Sequence, residues 1–207
     1  MRRRLVLALL AGAAAFAVGN VAFASSIGSV TAQSLTFWSG ATSIAPSACS
    51  STATQDTYVD SAHQKKSHGG ETNLDVIAQN KPTYTLVQFT PCASANAKIL
   101  SATLQLTLTS SPGSVPYGVY PMTGSWPEVT DWSTTGGSVG GSAITTTTAS
   151  GGTVSWSLTS TVQAIVNGGS NYGWSIEDDS GSAFETSSFD SREAGSNRPT
   201  LVLSYYP

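Results

Sequence analysis

The clearest pattern of hydrophobic and polar positions is a strict alternation over residues 100–108. Ser, Thr and Gln occupy every second position, and a period of two is typical of a β-strand with one buried and one solvated face. The sequence therefore predicts a half-buried strand here. Its inward-facing residues would be Leu100, Ala102, Leu104, Leu106 and Leu108.

Shorter stretches of the same kind recur along the chain, separated by clusters of Gly, Pro, Ser and Asn. Many short strands with turn signals between them are typical of an antiparallel sandwich. We therefore predict an all-β fold, an antiparallel jelly-roll-like β-sandwich, over residues 55–207. The strands are predicted at residues 57–59, 74–78, 85–89, 117–121, 154–158, 172–177, 184–189 and 200–205.

One segment has the spacing of an amphipathic helix instead. Leu158, Val162, Ile165 and Val166 recur at helical intervals, and the pair Ser160 and Gln163 has the spacing of a capping box. Glycines at 168 and 169 would end the element. We predict one short helix at an end of the sandwich, and a long loop over residues 133–152.

The amino terminus has the order expected of a secretory leader. Three arginines precede an apolar run over residues 5–17, and the small-residue pattern Ala22-Phe23-Ala24 follows. This order predicts a signal peptide over residues 1–24 and a secreted, extracellular protein; a retained membrane anchor is the alternative. Residues 25–54 are rich in Ser, Thr and Ala and predict a linker with one short strand at 35–38.

Loss of the leader would change the charge balance. The chain has 9 basic and 12 acidic residues, so removal of the three leader arginines leaves 6 basic residues and a net charge of −6. Nucleic acids and anionic membranes bind clustered Lys and Arg, so neither is expected as a partner of the mature form. We expect a monomer with a single folded domain.

Cys49 and Cys92 are the two cysteines. In an exported chain an even pair is more typical of one disulfide than of two free thiols. Such a bond would tie the segment before the first predicted strand of the domain to the loop after Phe89.

Other catalytic and metal-binding signals are weak. His63 and His68 lie in a polar stretch with two lysines between them, which favours solvated loop residues over metal ligands. A serine hydrolase needs a nucleophile held on a strand–turn–helix elbow, and none is predicted. The G-x-S-x-G match at residues 136–140 lies in the Gly- and Thr-rich tract predicted as a loop.

The carboxylates leave three readings open: turn and ion-pair residues, a glycosidase pair, or ligands of a structural Ca²⁺. For a Ca²⁺ site, the run from 177 to 182 would supply Asp178 and Asp179, with Asp56 or Asp60 from a neighbouring strand. The carboxylates considered are Glu128, Asp131, Glu177, Asp178, Asp179, Glu185 and Glu193.

Trp126 and Trp174 each follow a turn signal, and aromatic faces stack on sugar rings. We predict these two residues as exposed ligand platforms, assisted by the nearby polar side chains of Glu128, Asp131 and Asn171. A core position is the alternative for any tryptophan in a sandwich.

Six ordered blocks resemble the DNRLRE-type domain, which is also classed as carbohydrate-binding module family 96. The resemblance implies a jelly-roll sandwich in exported bacterial proteins, often appended to polysaccharide-degrading enzymes, and it supplies no catalytic residue. The blocks are DTYVDS, LVQFTPC, KILSATLQLTL, YGVYPMTGSWPEVTDW, VQAIVNGGSNYGWSI and FDSREAGSNRPTLVLSYY.

The last block includes the family pattern F-x-S-R-E at Phe189, Ser191, Arg192 and Glu193. We predict that Arg192 forms a structural ion pair with a carboxylate on a neighbouring strand. The functional hypothesis is a secreted, non-catalytic module that binds polysaccharide. The alternatives are a structural or cell-surface interaction sandwich without a sugar site, and an enzyme such as a polysaccharide lyase or glycosidase.

Overall fold

The computed structural model describes residues 45–207 except 79–81, 137 and 182–184, together with four short strands within residues 1–44. The chain divides into two compact units, residues 1–44 and residues 45–207. Neither helix among the described residues has the length and apolar composition needed to cross a bilayer.

The first unit contains two antiparallel strand pairs. Strand β1 (Leu7–Leu9) pairs with β2 (Phe16–Val18), and β3 (Ala24–Ser25) pairs with β4 (Gly28–Ser29). The rest of the predicted leader and the strand predicted at 35–38 lie outside the described residues.

The second unit is built on two antiparallel sheets. One has five strands in the order β11-β10-β13-β8-β6. In chain order these are β6 (Gln55–Asp60), β8 (Thr83–Gln88), β10 (Val115–Pro121), β11 (Thr145–Ala149) and β13 (Trp174–Asp178).

The other sheet has six strands in the order β5-β15-β9-β14-β7, with β12 paired to β9. In chain order these are β5 (Ser47–Thr52), β7 (Asn73–Val76), β9 (Lys98–Ser110), β12 (Gly152–Ser157), β14 (Ser187–Asp190) and β15 (Thr200–Tyr206). Two helices complete the described part of this unit, α1 (Trp132–Thr135) and α2 (Thr159–Val166).

The inner faces of the two sheets pack together, which confirms the predicted antiparallel β-sandwich. Polar groups also join the sheets inside this core. The indole Nε1 of Trp156 on β12 donates to the carbonyl of Tyr117 on β10 at 2.9 Å, and the Tyr117 hydroxyl donates to Ser187 on β14 at 2.7 Å. Because the carbonyl and the hydroxyl of Tyr117 are both buried, breaking these bonds would be costly, and they therefore fix the position of one sheet relative to the other.

The alternation predicted for β9 is correct from Ala102 onwards and wrong at its start. Leu100 is 40% exposed, whereas Ile99 is buried. The cause is a β-bulge: Ser204 of β15 pairs with Ser101, and the next residue, Tyr205, pairs with Ile99. The extra residue on β9 reverses the phase of the alternation.

Two strands lie where the sequence predicts irregular structure. Strand β5 falls within the predicted linker, and β11 falls within the predicted loop at 133–152, which also includes all of α1 except its first residue. Both strands are at the edges of their sheets, and every residue in them is partly or fully exposed. Since a solvated edge strand of Ser, Thr and Ala has no hydrophobic alternation, its sequence carries no strand signal.

Helix α2 confirms the predicted helix, but the predicted capping box does not form. Among the described residues, no side chain caps its first turn. Gln163 instead joins the helix to β9, because it accepts from the Ile99 N–H at 2.8 Å and donates to the Ala97 carbonyl at 2.9 Å. The helix ends at Val166 with Asn167 as its C-cap, and the next residue, Gly168, has a φ of 93°, in the left-handed region that glycine adopts most readily.

Cys49 and Cys92 form the predicted disulfide, with their Cα atoms 6.2 Å apart. Cys49 is on β5, at the edge of the six-stranded sheet, and Cys92 is in the loop that follows β8 of the five-stranded sheet. The bond therefore joins an edge strand of small residues, which buries little apolar surface, to the opposite layer of the sandwich.

We predict that the double variant Cys49→Ala/Cys92→Ala lowers the free energy of unfolding by about 2–4 kcal/mol, because the unfolded chain regains the entropy that a closed loop of this length removes. Urea unfolding followed by circular dichroism measures the difference. Reduction of the wild-type protein serves as the control and should produce the same shift. An unchanged midpoint in both samples would show that β5 is held by its pairing with β15 alone.

Candidate functional site

The two tryptophans predicted as ligand platforms are buried, so that interpretation is wrong. Trp126 is 4% exposed and Trp174 is 1% exposed. The Trp126 indole donates to the Tyr172 carbonyl at 2.8 Å beneath a surface loop. Trp174 belongs to the main core, where its ring lies 6.3 Å from that of Phe89. Neither ring offers a face to a ligand.

The polar residues predicted beside them are engaged in local structure. Glu128 accepts from the guanidinium of Arg192 at 2.6 Å. Asp131 is the N-cap of α1 and accepts from a backbone N–H of that helix. Asn171 donates to the Phe89 carbonyl at 2.7 Å and so fixes the approach to β13. These three polar residues therefore make separate local contacts and do not form the predicted sugar site with Trp126 and Trp174.

A different set of side chains meets on the outer face of the five-stranded sheet. Glu177 on β13 pairs with Gly118 on β10. On the other side of β13, Ile176 pairs with Thr85 on β8, so the preceding β8 residue, Tyr84, lies beside Glu177 on the same outer face. We call the outer-face residues Tyr84, Tyr120, Trp132, Glu177 and Asp179 the outer-sheet patch.

Two aromatic rings of this patch lie side by side. The Tyr84 and Trp132 ring centroids are 5.1 Å apart with planes tilted by 43°, and both side chains are only partly buried. They pack on a second, smaller hydrophobic cluster that contains Val59, Leu86 and Trp126. Trp126 thus supports the patch from below rather than forming its surface.

The Gly118 backbone leaves room for polar groups in the same patch. A Cβ at Gly118 would collide with the carboxylate of Asp179 and with the ring of Tyr120. The Asp179 carboxylate accepts from the Tyr120 hydroxyl at 2.7 Å and from the Thr146 hydroxyl at 3.2 Å. Glycine at this position therefore allows an acidic group and a phenol to lie over the middle of the sheet.

The environment of the patch disfavours negative charge. Burial raises the pKa of Glu177 to about 7; a hydrogen bond from Ser175 opposes this, and the charge of Asp179 adds to it. Burial also raises the pKa of Tyr84, with a further contribution from Glu177, and it raises the pKa of Tyr120, which donates to Asp179. The patch thus combines aromatic faces with hydrogen-bond acceptors in a partly desolvated setting.

The predicted Ca²⁺ ligands do not come together. Asp56 and Trp174 both pair with Val87, and Asp178 lies four residues further along β13, about 13 Å away along the strand. Asp178 accepts from a backbone N–H of its own turn, while Asp179 belongs to the outer-sheet patch.

Asp56 instead lies near Glu128 and Glu193, around the guanidinium of Arg192; we call these four residues the Arg192 cluster. Arg192 Nη2 contacts Glu128 at 2.6 Å, and its Nε contacts Glu193 at 2.8 Å. Glu128 lies in the loop between β10 and α1, rather than on a neighbouring strand as predicted. The Arg192 backbone N–H donates to Asp56 at 2.8 Å.

Asp56 is 1% exposed. Burial raises its pKa to about 7, the Arg192 backbone N–H opposes the shift, and the charge of Glu193 adds to it. The Arg192 side chain also donates to the Thr54 carbonyl at 2.9 Å. The cluster therefore joins the start of β6, the loop before α1 and the turn after β14.

The two histidines differ from the expectation that both are solvated. His63 is exposed and pairs with Asp60, whereas His68 is 4% exposed. The His68 ring stacks on Tyr58, with centroids 3.8 Å apart, and its Nδ1 lies 2.7 Å from a carboxylate oxygen of Glu71. His68 is therefore buried because its ring stacks on Tyr58 of β6.

A comparison with protein families matches the chain to the model of carbohydrate-binding module family 96, over residues 47–205. No curated protein matches the chain.

The raised pKa of Glu177 predicts a pH dependence of stability. The folded state holds the proton more tightly than the unfolded chain, where the pKa is 4.5. The resulting stabilisation is fully present below about pH 4.5 and is lost as the pH rises through about 7. Thermal unfolding between pH 4 and pH 8 should show that Glu177→Gln reduces the decline in Tm over this window and leaves the part caused by the raised pKa of Asp56. Glu185→Gln, at an exposed carboxylate, should keep the wild-type profile.

We predict that Arg192→Ala lowers the free energy of unfolding by about 2–3 kcal/mol, because it leaves partly buried carboxylates without their donors. The free energy of ligand binding at the outer-sheet patch should change less than the free energy of unfolding. Chemical denaturation measures the first effect, and a binding assay on the folded fraction measures the second. Arg198→Ala, at an exposed arginine, is the control. A variant with wild-type stability and weakened ligand binding would contradict the structural role.

Proposed function

Because this chain belongs to carbohydrate-binding module family 96, we propose that it is a secreted, non-catalytic module that binds polysaccharide at the outer-sheet patch. Family membership implies a binding module rather than an enzyme. The patch adds the chemistry through which such a module holds a sugar.

The adjacent rings of Tyr84 and Trp132 carry this proposal. Both rings are partly exposed with centroids 5.1 Å apart, so Tyr84 of β8 and Trp132 of α1 form one aromatic surface at the outer face of the five-stranded sheet. The C–H groups of a pyranose pack on such a surface. Because the two rings are already packed against each other in the free protein, binding costs less side-chain entropy. Glu177 lies beside Tyr84 and Asp179 lies beside Tyr120, and the carboxylate oxygens of both would accept hydrogen bonds from sugar hydroxyls.

The charge of the patch supports a neutral polysaccharide as the ligand. The patch contains the two carboxylates of Glu177 and Asp179, and burial already makes ionisation of Glu177 unfavourable. A polyanionic chain such as a polyuronate would bring further negative charge into this setting, which like-charge repulsion disfavours. Hydroxyl groups, in contrast, satisfy the carboxylate oxygens without adding charge.

Export of the protein is part of the same proposal. The Cys49–Cys92 disulfide suits an oxidising compartment outside the cytoplasm. The order of basic, apolar and small residues over positions 1–24 supports cleavage of a leader and release of the sandwich.

A structural or surface-interaction sandwich without a sugar site is the second candidate. The burial of Trp126, Trp156 and Trp174 favours it, because tryptophans held in the core stabilise the fold and contact no ligand. Binding experiments on the outer-sheet patch separate the two candidates.

We expect Tyr84→Ala and Trp132→Ala each to weaken binding to a neutral polysaccharide about tenfold, which corresponds to ~1.4 kcal/mol. Affinity gel electrophoresis with xylan, β-glucan and mannan measures the retardation, and alginate serves as the polyanionic comparison. Tyr206→Ala, which removes a similarly half-buried tyrosine on the six-stranded sheet, should bind as the wild type does.

Each variant is first compared with the wild type by circular dichroism and Tm, so that loss of fold is separated from loss of binding. If the wild-type protein is retarded by none of these polysaccharides, the second candidate replaces the first. Retardation that survives both ring deletions would place the sugar site elsewhere on the molecule.

A further inference from the structure

The Arg192 cluster brings three acidic side chains together from distant parts of the chain. Asp56 is on β6, Glu128 is in the loop before α1, and Glu193 is in the turn after β14. One carboxylate oxygen from each lies within 4.8 Å of the other two. None of the three belongs to the outer-sheet patch, so this feature is separate from the proposed polysaccharide site.

Arg192 uses one oxygen of each carboxylate. Its guanidinium contacts Oε2 of Glu128 and Oε1 of Glu193, and its backbone N–H donates to Oδ2 of Asp56. The second oxygen of each acid, Oδ1 of Asp56, Oε1 of Glu128 and Oε2 of Glu193, is buried and has no hydrogen-bond partner among the described residues. Three buried acceptors of one kind thus lack a donor in the same small region.

Such oxygens are unusual in folded proteins, because a buried acceptor without a partner loses its hydration and regains nothing. The carboxylate of Asp56 is the sharpest case, since the residue is 1% exposed. The charge balance points the same way. With the three carboxylates ionised, the single guanidinium leaves two negative charges uncompensated.

We propose that Asp56, Glu128 and Glu193 bind a divalent cation, and that the cation is Ca²⁺. Ca²⁺ takes carboxylate oxygens at about 2.3–2.6 Å, so two ligands on opposite sides of the ion are up to about 5 Å apart, in keeping with the observed spacing. Mg²⁺, with distances of about 2.0–2.1 Å, requires a tighter octahedral set. Water completes the coordination of Ca²⁺, and the two positive charges balance those left by Arg192.

The position of the ion gives it a structural consequence. It would join β6 to the loop that carries Glu128, and the same loop leads directly into α1 and Trp132. Gln55, next to Asp56, also donates to the Trp126 carbonyl in this loop at 2.7 Å. Ca²⁺ would therefore fasten the segment that places Trp132 beside Tyr84.

Calorimetry on the whole protein tests the site without reference to any sugar. After dialysis against EDTA, addition of Ca²⁺ should raise the wild-type Tm by about 5–10 °C at a 100-fold excess over its dissociation constant. Isothermal titration should give a single Ca²⁺ site. Glu193→Gln, which replaces a partly exposed ligand and keeps the side-chain volume, should weaken Ca²⁺ binding about tenfold or more.

Matched variants separate this site from other carboxylates. Glu185→Gln and Asp178→Asn should leave the Ca²⁺ response unchanged. Asp56→Asn is informative only when it folds, so Glu193→Gln carries the test. Absence of any Ca²⁺ effect on the wild-type Tm and heat would overturn the proposal, as would an equal Ca²⁺ response in wild type and Glu193→Gln. An equal response to Mg²⁺ would overturn the assignment to Ca²⁺.

Discussion

Packing of the inner faces of two antiparallel sheets is the constraint on which the other features depend. Trp156, Tyr117 and Phe189 fill the space between the sheets, and the hydrogen bonds of Tyr117 satisfy its buried polar groups across that space. Since the side chains of a strand alternate between faces, fixing the inner set also fixes the outer set. The position of Tyr84, Tyr120 and Glu177 on the outer face follows from the burial of their neighbours, and no separate scaffold is needed.

The loops at one end of the sandwich are held in a different way, by charge. Arg192 donates to the carboxylates of Asp56 and Glu128 and to the Thr54 carbonyl, and it forms an ion pair with Glu193. It thereby joins segments far apart in sequence. A guanidinium suits this position because its planar donors engage several acceptors in fixed directions, which an ammonium group cannot do. The loop that carries Glu128 is thereby fixed against β6. Because this loop leads into α1, it also sets the position of Trp132 beside Tyr84 at the outer-sheet patch.

The sequence predicts the sandwich because most strands bury one face and alternate accordingly. It fails at β5 and β11, whose solvated edge positions need no apolar residue, and at Leu100, where a bulge reverses the phase. The prediction that Trp126 and Trp174 are exposed is wrong for a related reason. The turn signal before Trp174 marks the start of a strand but does not show on which face of the sheet the side chain lies. Trp174 pairs with Val87, whose side chain is on the inner face, so the indole is in the core. Tyr84 had a usable signal, because it lies out of phase with the inward residues of β8.

The electrostatics of the outer-sheet patch are an argument for function in their own right. Burial of Glu177 beside Asp179 opposes ionisation and lowers the stability of the folded protein near neutral pH. Nothing in the core needs a carboxylate there, and a neutral side chain on β13 would pack against Tyr84 without this penalty. Groups whose pKa is shifted by desolvation and by a like charge are concentrated at functional sites, because binding uses polar groups that stability alone would remove. In the Arg192 cluster the buried Asp56 has a raised pKa for similar reasons, and one guanidinium offsets only part of the negative charge of the three carboxylates.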